Sequence, residues 1–277
     1  KISQMLGIDT VELGQAEVEP TDLGQVEQML ANDPGITHVA MVHCETTTGM
    51  LNPVEAVGEI VRCHGREFIL DAMSSFGGIP MSMESTGAQY LISSANKCVQ
   101  GVPGFGFVVA DRATLEATKG RARSHSLDLF DQWREMETKG GKWRFTSPTH
   151  VVSAFAQALD ELEAEGGVEA RHTRYVANQR TMVEGMREIG FRTLIGDEVQ
   201  SPIITSFYFP EAAEFEFQTF YDALKSRGFV IYPGKVSHAQ CFRIGSIGDV
   251  HPSDMTQLIG QISEVLEAMG VCLTVAS

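Results

Sequence analysis

The chain has 277 residues, 43% hydrophobic and 21% charged, a balance that fits one large or two ordinary globular domains and excludes wholesale disorder. Lys and Arg number 21 against 36 Asp and Glu, for a net charge of −15; that field repels phosphate backbones and no basic run offsets it, so nucleic-acid binding is not expected. No apolar run approaches the roughly 18 residues of a membrane span, no basic and apolar leader opens the sequence, and the eight histidines show no metal-ligand spacing, so membrane, export and metal are all unexpected.

In chain order, residues 1–20 read as helix and then linker. Thr37 to Val42 is an apolar run ending in the polar turn His43-Cys44-Glu45-Thr46-Thr47-Thr48-Gly49, a buried strand and the loop at its carboxyl end. Val54, Val57, Ile60 and Val61 give residues 53–64 helical spacing. Phe68-Ile69-Leu70 is a second strand, closed by Asp71; Tyr90-Leu91-Ile92 is a third, and residues 105–110 a fourth. Strands alternating with helices predict an α/β fold, a mainly parallel sheet sandwiched by helices. In such sheets ligands lie beyond the carboxyl ends of the strands, so the loops after Val42, Leu70 and Ile92 are the ones to search. Val151, Val152, Phe155, Leu159 and Leu162 stripe a helix over 148–165 that Gly166-Gly167 ends. A boundary is placed there, between a large domain of residues 1–166 and a smaller α+β domain of 167–277. The second contains a helix over 168–189, a strand at Ile203–Tyr208, a helix over 217–227, a strand at Phe242–Gly245 and a last helix striped by Met255, Leu258, Ile262, Leu266 and Met269. Ser253 or Asp254 is expected to cap that last helix. The five cysteines, Cys44, Cys63, Cys98, Cys241 and Cys272, form no CxxC pair and are expected as reduced thiols of a cytoplasmic protein.

Ser93-Ser94-Ala95-Asn96-Lys97-Cys98 follows the third strand and leads into Gly101-Val102-Pro103-Gly104-Phe105-Gly106. A free lysine titrates near ~10.4, and lowering it by about three units costs roughly 4 kcal/mol; a covalent link to a cofactor makes that shift unnecessary. By itself Lys97 also fits a solvated loop lysine. The glycines lack GxGxxG spacing and enter a strand rather than a helix, so they do not make a dinucleotide loop. Asp71 could cap the turn that follows it, or hold the ring nitrogen of a pyridine cofactor, which needs a carboxylate at the ring's edge. The hydroxyls of Thr46, Thr47 and Thr48 could bind a cofactor or close the turn on its own backbone. An Asp and then a Lys at neighbouring strand ends fit pyridoxal-phosphate chemistry better than a hydrolytic triad, and no GxSxG elbow or paired-carboxylate signature competes.

Six stretches, His43–Pro53, Asp71–Pro80, Ile92–Phe107, Leu127–Trp133, Gly141–His150 and Phe242–Gly245, closely resemble the 2-aminoethylphosphonate–pyruvate branch of the class V, fold type I pyridoxal-phosphate aminotransferases. The resemblance runs over nearly the whole chain. It implies the fold type I architecture, pyridoxal 5′-phosphate as cofactor, and transfer of the amino group of 2-aminoethylphosphonate to pyruvate, giving phosphonoacetaldehyde and alanine in phosphonate catabolism. It assigns Lys97 to covalent attachment of the cofactor and proton shuttling, and Asp71 to the pyridine nitrogen. Thr46 would bond near the ring hydroxyl, Met73 would pack on a ring face, and Asn96 would reach the phosphate. Thr146 would reach the phosphate held by a neighbouring subunit, which implies a homodimer with shared active sites. Arg243 would bind the phosphonate or carboxylate of the substrate, whose two oxygens match a guanidinium fork.

Without the resemblance, Thr146 could be a helix N-cap, Arg243 a surface arginine on an edge strand, Met73 plain core and Trp143 interface packing. Other class V enzymes, such as the alanine–glyoxylate type, and an inactive fragment remain as alternatives. Family members carry a section ahead of the point matching Lys1, with a phosphate-cradling loop at a helix N-terminus and an aromatic for the other ring face. A truncated member is therefore expected, its sheet short of a strand and with an unpaired edge.

Overall fold

The computed structural model describes residues 2–274. After a single turn of helix, α1 (Ile2–Met5), α2 (Leu23–Asn32) starts at Asp22, whose carboxylate accepts from the backbone of Gly24 and Gln25. The first sheet is then built from β1 (His38–Val42), β2 (Glu67–Asp71), β3 (Tyr90–Ser94) and β4 (Gly106–Ala110) in the order β1-β2-β3-β4. The first three strands are parallel, and their register aligns Val42 with Asp71 and Asp71 with Ile92. Three strand ends therefore finish level, and three loops open on one edge. The connections between them run through α3 (Val54–Cys63) and the short α4 (Met83–Thr86).

β4 departs from the parallel pattern. It pairs with β3 antiparallel, because residues 95–105 are too short for a parallel crossover, which takes about a dozen residues or more. That short return is the segment that carries Lys97. The edge of β1 away from β2 pairs with no strand among the described residues.

Val26 and Leu30 from α2 pack with Val54, Val57 and Val61 from α3 over Phe68, Leu70 and Leu91 of the sheet. Gly58 is required by closeness: a Cβ there would collide with the Thr86 carbonyl, so α3 and α4 touch backbone to backbone. Two helices, α5 (Arg112–Ala117) and α6 (Leu129–Thr138), follow β4, bury Leu115 and Phe130 against Tyr90, and lead to α7 (Thr149–Glu165).

α7 stops at Gly166, with φ at 108°, and α8 (Gly167–Ile189) begins at once with Gly167 at φ 79°. Left-handed backbone at both positions is cheap only for glycine. Beyond α8 a second, antiparallel sheet has the order β5-β7-β6, from β5 (Ile204–Tyr208), β6 (Tyr232–Pro233) and β7 (Cys241–Gly245). α9 (Phe217–Ser226) and α10 (Pro252–Met269) join α8 around it, over a core of Met182, Met186, Phe207, Phe220, Leu224, Phe242 and Ile262. α10 starts earlier than its expected Ser253 or Asp254 cap. Pro252 occupies the first turn, and the Asp254 carboxylate accepts from the His251 N–H at 2.8 Å, which satisfies a donor with no intrahelical partner.

A third apolar cluster, Cys44, Ile79, Cys98, Tyr175, Ile203 and Ile204, joins the two sheets beneath the strand ends of the first. Among the described residues no helix is long and apolar enough to cross a membrane.

Candidate active site

The loops at the carboxyl ends of β1, β2 and β3 are stitched to one another by small polar side chains. Ser93 Oγ donates to the Ala72 carbonyl and Ser94 Oγ to the Met73 carbonyl, both at 3.2 Å. Ser74 Oγ donates to the Cys44 carbonyl at 3.0 Å, and Cys98 Sγ to the Ser74 carbonyl at 3.1 Å. His43 Nδ1 lies 3.0 Å from Ser75 Oγ. The serines of these segments thus have a structural use: short hydroxyls reach backbone carbonyls that no sheet ladder satisfies. Burial drives the His43 imidazole down to about 4, and the Cys44 thiol up to about 11. At neutral pH both groups are uncharged, and Cys44 is no nucleophile.

From the other side, the second sheet and the turn that leads into β5 clamp the loop after β1. Gln200 Nε2 donates to the Gly49 carbonyl at 3.2 Å, Ser206 Oγ to the Thr47 carbonyl at 3.0 Å and Arg243 Nη1 to the Thr46 carbonyl at 2.6 Å. Gly49 sits at φ 93°, and a Cβ there would strike the Ile204 carbonyl.

Lys97 is exposed and lines a cavity of about 520 Å³. Thr46, Ser74, Ile203, Ile204, Tyr232, Lys235 and Arg243 share its walls. The backbone that carries Lys97 is fixed from below by α8. Arg171, 2% exposed, donates Nη1 to the carbonyls of Cys98 and Val99 at 2.9 and 3.3 Å. Its charge is met by Glu165 at 2.7 Å, which also pairs with Arg174 at 2.8 Å. Burial pushes the Glu165 carboxyl up, but hydrogen bonds from Arg174 and Arg171 outweigh it and hold that carboxyl below the usual range. One turn further along α8 the Tyr175 hydroxyl accepts from Gln100 Nε2 at 2.7 Å. Gln100 itself is left-handed, at φ 66°, the one non-glycine residue so placed among those described.

Arg243 lies on β7, the central strand of its sheet, and is 7% exposed, so it is not a surface arginine of an edge strand. Its Nε donates to the Pro233 carbonyl at 3.0 Å and its guanidinium carbon lies 5.9 Å from the Tyr232 ring centre. Burial lowers its pKa, and no carboxylate pairs with it among the described residues. A buried cation whose only hydrogen-bond partners are carbonyls is an incomplete ion pair, a site that favours an incoming anion.

Asp71 is half-buried at the end of β2, with Oδ1 accepting from the Met73 N–H at 2.9 Å. Its charge and, above all, burial raise the neighbouring Glu45 carboxyl. Met73 is 39% exposed above this turn, so it is not plain core. Asn96 is half-buried beside Lys97. Of the residues singled out in the sequence, Thr46, Lys97 and Arg243 share the cavity wall; Asp71 at the end of β2, and Met73 and Asn96 on the adjoining loops, do not line it. Thr146 is exposed on the segment before α7, whose N-cap is Pro148, without a side-chain bond, so Thr146 is not that cap. Sequence reasoning missed Lys235, Tyr232, Arg171 and Glu165. β6 spans only Tyr232–Pro233, too short for any periodicity, and nothing in the pattern of α8 distinguishes a buried arginine from an exposed one.

The model of the family described as aminotransferase class-V matches residues 1–240. The 2-aminoethylphosphonate–pyruvate transaminase of Vibrio vulnificus (strain CMCP6) is 59% identical over 266 residues, covering 96% of this chain and 72% of that protein. The enzyme of that name from Syntrophobacter fumaroxidans is 59% identical over 269 residues, covering 97% of this chain and 72% of that protein. Among solved structures, pyridoxamine-pyruvate aminotransferase from Mesorhizobium loti superposes with a TM-score of 0.86 at 25% identity, covering 96% of this chain and 68% of that one. Ureidoglycine-glyoxylate aminotransferase from Bacillus subtilis reaches 0.87 at 20% identity, covering 99% and 71%, a likeness of fold. With the family model over most of its length, close relatives at 59% identity and the fold type I architecture in its two sheets, the chain belongs to the class V aminotransferases.

Proposed function

We propose that this chain is a pyridoxal-phosphate-dependent aminotransferase that moves the amino group of 2-aminoethylphosphonate to pyruvate, giving phosphonoacetaldehyde and alanine, a step of phosphonate catabolism in the cytoplasm. The observation that carries the reading is the pairing, in one cavity, of a lysine amine at Lys97 with the buried, carboxylate-free guanidinium of Arg243. An anionic substrate held at Arg243 brings its other end toward the lysine. The donor set suits the cofactor: a lysine for its aldehyde, a carboxylate at Asp71 for its ring nitrogen, and hydrogen-bonding groups at Thr46 on the cavity wall and Asn96 on the adjoining loop.

Bound there, pyridoxal phosphate would supply an electron sink for breaking the C–H bond beside the transferred amine. Lys97 would hold it covalently and, once released, would take the proton from the donor carbon and return it one position away. Asp71 would keep the ring nitrogen protonated. Thr46 would bond near the ring hydroxyl, Met73 would cover a ring face and Asn96 would contact the phosphate. Thr146 would serve the cofactor of a second subunit in a homodimer with shared sites. Gly166-Gly167 would divide a cofactor-binding domain, residues 1–166, from a smaller domain of residues 167–277. The surface is acidic overall, so Arg243 and its neighbours must supply the local attraction for anions.

The test is direct. The protein is mixed with pyridoxal phosphate, and absorbance near the yellow band and borohydride fixation, mapped by peptide mass, are followed. We expect fixation on Lys97 and bleaching on adding 2-aminoethylphosphonate, reversed by pyruvate. Fixation without bleaching by that donor, but with turnover of alanine and glyoxylate, would assign the alanine–glyoxylate reaction instead.

A further inference from the structure

The cavity holds a cation that the proposed chemistry has not used. Lys235 lies in the same wall as Arg243 and Lys97, just past β6. The backbone brings it there by a tight approach: the Gly234 N–H donates to the Cys241 carbonyl at 2.9 Å, and a Cβ at Gly234 would collide with that carbonyl and with Cys241 Sγ. The chain therefore runs flat against β7 until Gly234 and releases Lys235 at the cavity rim, where it is exposed. The lining holds three cations, Lys97, Arg243 and Lys235, and one carboxylate, Asp254, itself occupied by the His251 N–H. The chain as a whole carries a net charge of −15, so this local excess of positive charge runs against the overall sign.

The two substrates of the proposed reaction, on which this inference rests, differ in charge. A carboxylate carries one negative charge. A phosphoryl-type group loses its second proton at about pH 6 and carries up to two above it. One site must bind both in turn. Arg243 is fixed by the Thr46 and Pro233 carbonyls and presents the same fork each time. An ammonium on a flexible four-carbon stem can close on a second charge and withdraw when there is none. We infer that Lys235 is a specificity-determining residue that engages the second negative charge of the phosphonate donor, while Arg243 holds the charge common to donor and acceptor. The other charged or titratable groups near it among the described residues are Tyr232 in the same wall, the Cys241 thiol on β7, which burial pushes up, and Glu17 and His238 beside the loop, Glu17 being held by the Ser237 N–H at 2.8 Å.

The experiment compares holoenzyme with Lys235→Met and Lys235→Arg. For Lys235→Met we expect the KM for 2-aminoethylphosphonate to rise about three- to fivefold, as suits an ion pair at a partly open site, against less than twofold for pyruvate. Lys235→Arg should recover most of the loss. The donor KM of the parent enzyme should fall as pH rises through the second ionisation of the phosphonate, and Lys235→Met should flatten that fall. Calorimetric titration with ethylphosphonate and propionate gives a readout independent of turnover: the variant should lose affinity for the first only. An equal loss for both substrates, or no loss for either, overturns the inference. Failure of the parent enzyme to use 2-aminoethylphosphonate at all would sink the proposed reaction instead, and the two results are distinguishable.

Discussion

Arg243 does two jobs at once, and its substitution should show both. It ties the Thr46 carbonyl to the second sheet and offers its remaining donors to the cavity. Arg243→Lys keeps the charge and loses the planar fork. Charge-assisted hydrogen bonds contribute about 1.5–3 kcal/mol each, so kcat/KM for both substrates should fall roughly 10- to 100-fold, which steady-state kinetics with each substrate varied will check. Lys97→Ala should abolish borohydride fixation and slow the half-reaction by about 10³-fold or more, with unchanged far-ultraviolet circular dichroism. His43 provides the pH test. Its folded pKa of about 4 lies below the ordinary value of 6.5, so below 6.5 the unfolded chain takes up a proton that the folded chain refuses. The stability it supports is whole above pH 6.5 and is lost as pH falls from 6.5 toward 4. The shift corresponds to about 3 kcal/mol. Urea midpoints across that range should decline, and His43→Gln should decline less steeply.

At the scale of elements, α8 is the prop of the site. Arg171→Met removes the bond to the Cys98 and Val99 carbonyls and half of the pairing of Glu165. Glu165 keeps Arg174, so the cost should be nearer 3 kcal/mol than the larger figures for fully isolated buried charges, read as a lower urea midpoint with unchanged slope. Gly58→Ala should also destabilise, by more than about 1 kcal/mol, because its Cβ meets the Thr86 carbonyl rather than a side chain that can turn away. Much of the element plan was legible in the sequence. The apolar run before His43, the Asp71 strand end and the Lys97 loop are short and strongly patterned, so period and turn chemistry found them. What the sequence hid is instructive. The reversal of β4 follows from loop length rather than hydropathy. β6 has too few residues for a pattern, so Tyr232 and Lys235 were invisible. The burial of Arg171 depends on carbonyls 72 and 73 residues away, and no local spacing reports such a partner.

For the molecule as a whole, two sheets meet at Cys44, Cys98, Tyr175 and Ile203, and the Thr46, Lys97 and Arg243 side chains rise from opposite sides of that seam. The nearness of Thr46 and Lys97 was legible from the strand order, whereas that of Arg243 was expected only from the family resemblance, since Thr46 and Arg243 are 197 positions apart. The proposed homodimer makes a separate prediction at this scale. Sedimentation should give a mass near twice 30.3 kDa, and a Thr146→Ala subunit mixed with a Lys97→Ala subunit should show activity different from either parent, because each site would draw on both chains.

The clasp of Arg171 and Tyr175 on the backbone behind Lys97 bears on how such a chain can change over time. A helix of the second half holds the Lys97 loop of the first, so residues that support the fold also position that lysine. Drift at these α8 positions is then judged twice, once by survival of the fold and once by turnover. Donor preference, by contrast, can shift at the rim around Lys235 without disturbing either, which leaves new substrates within reach of single substitutions while the machinery beneath stays still.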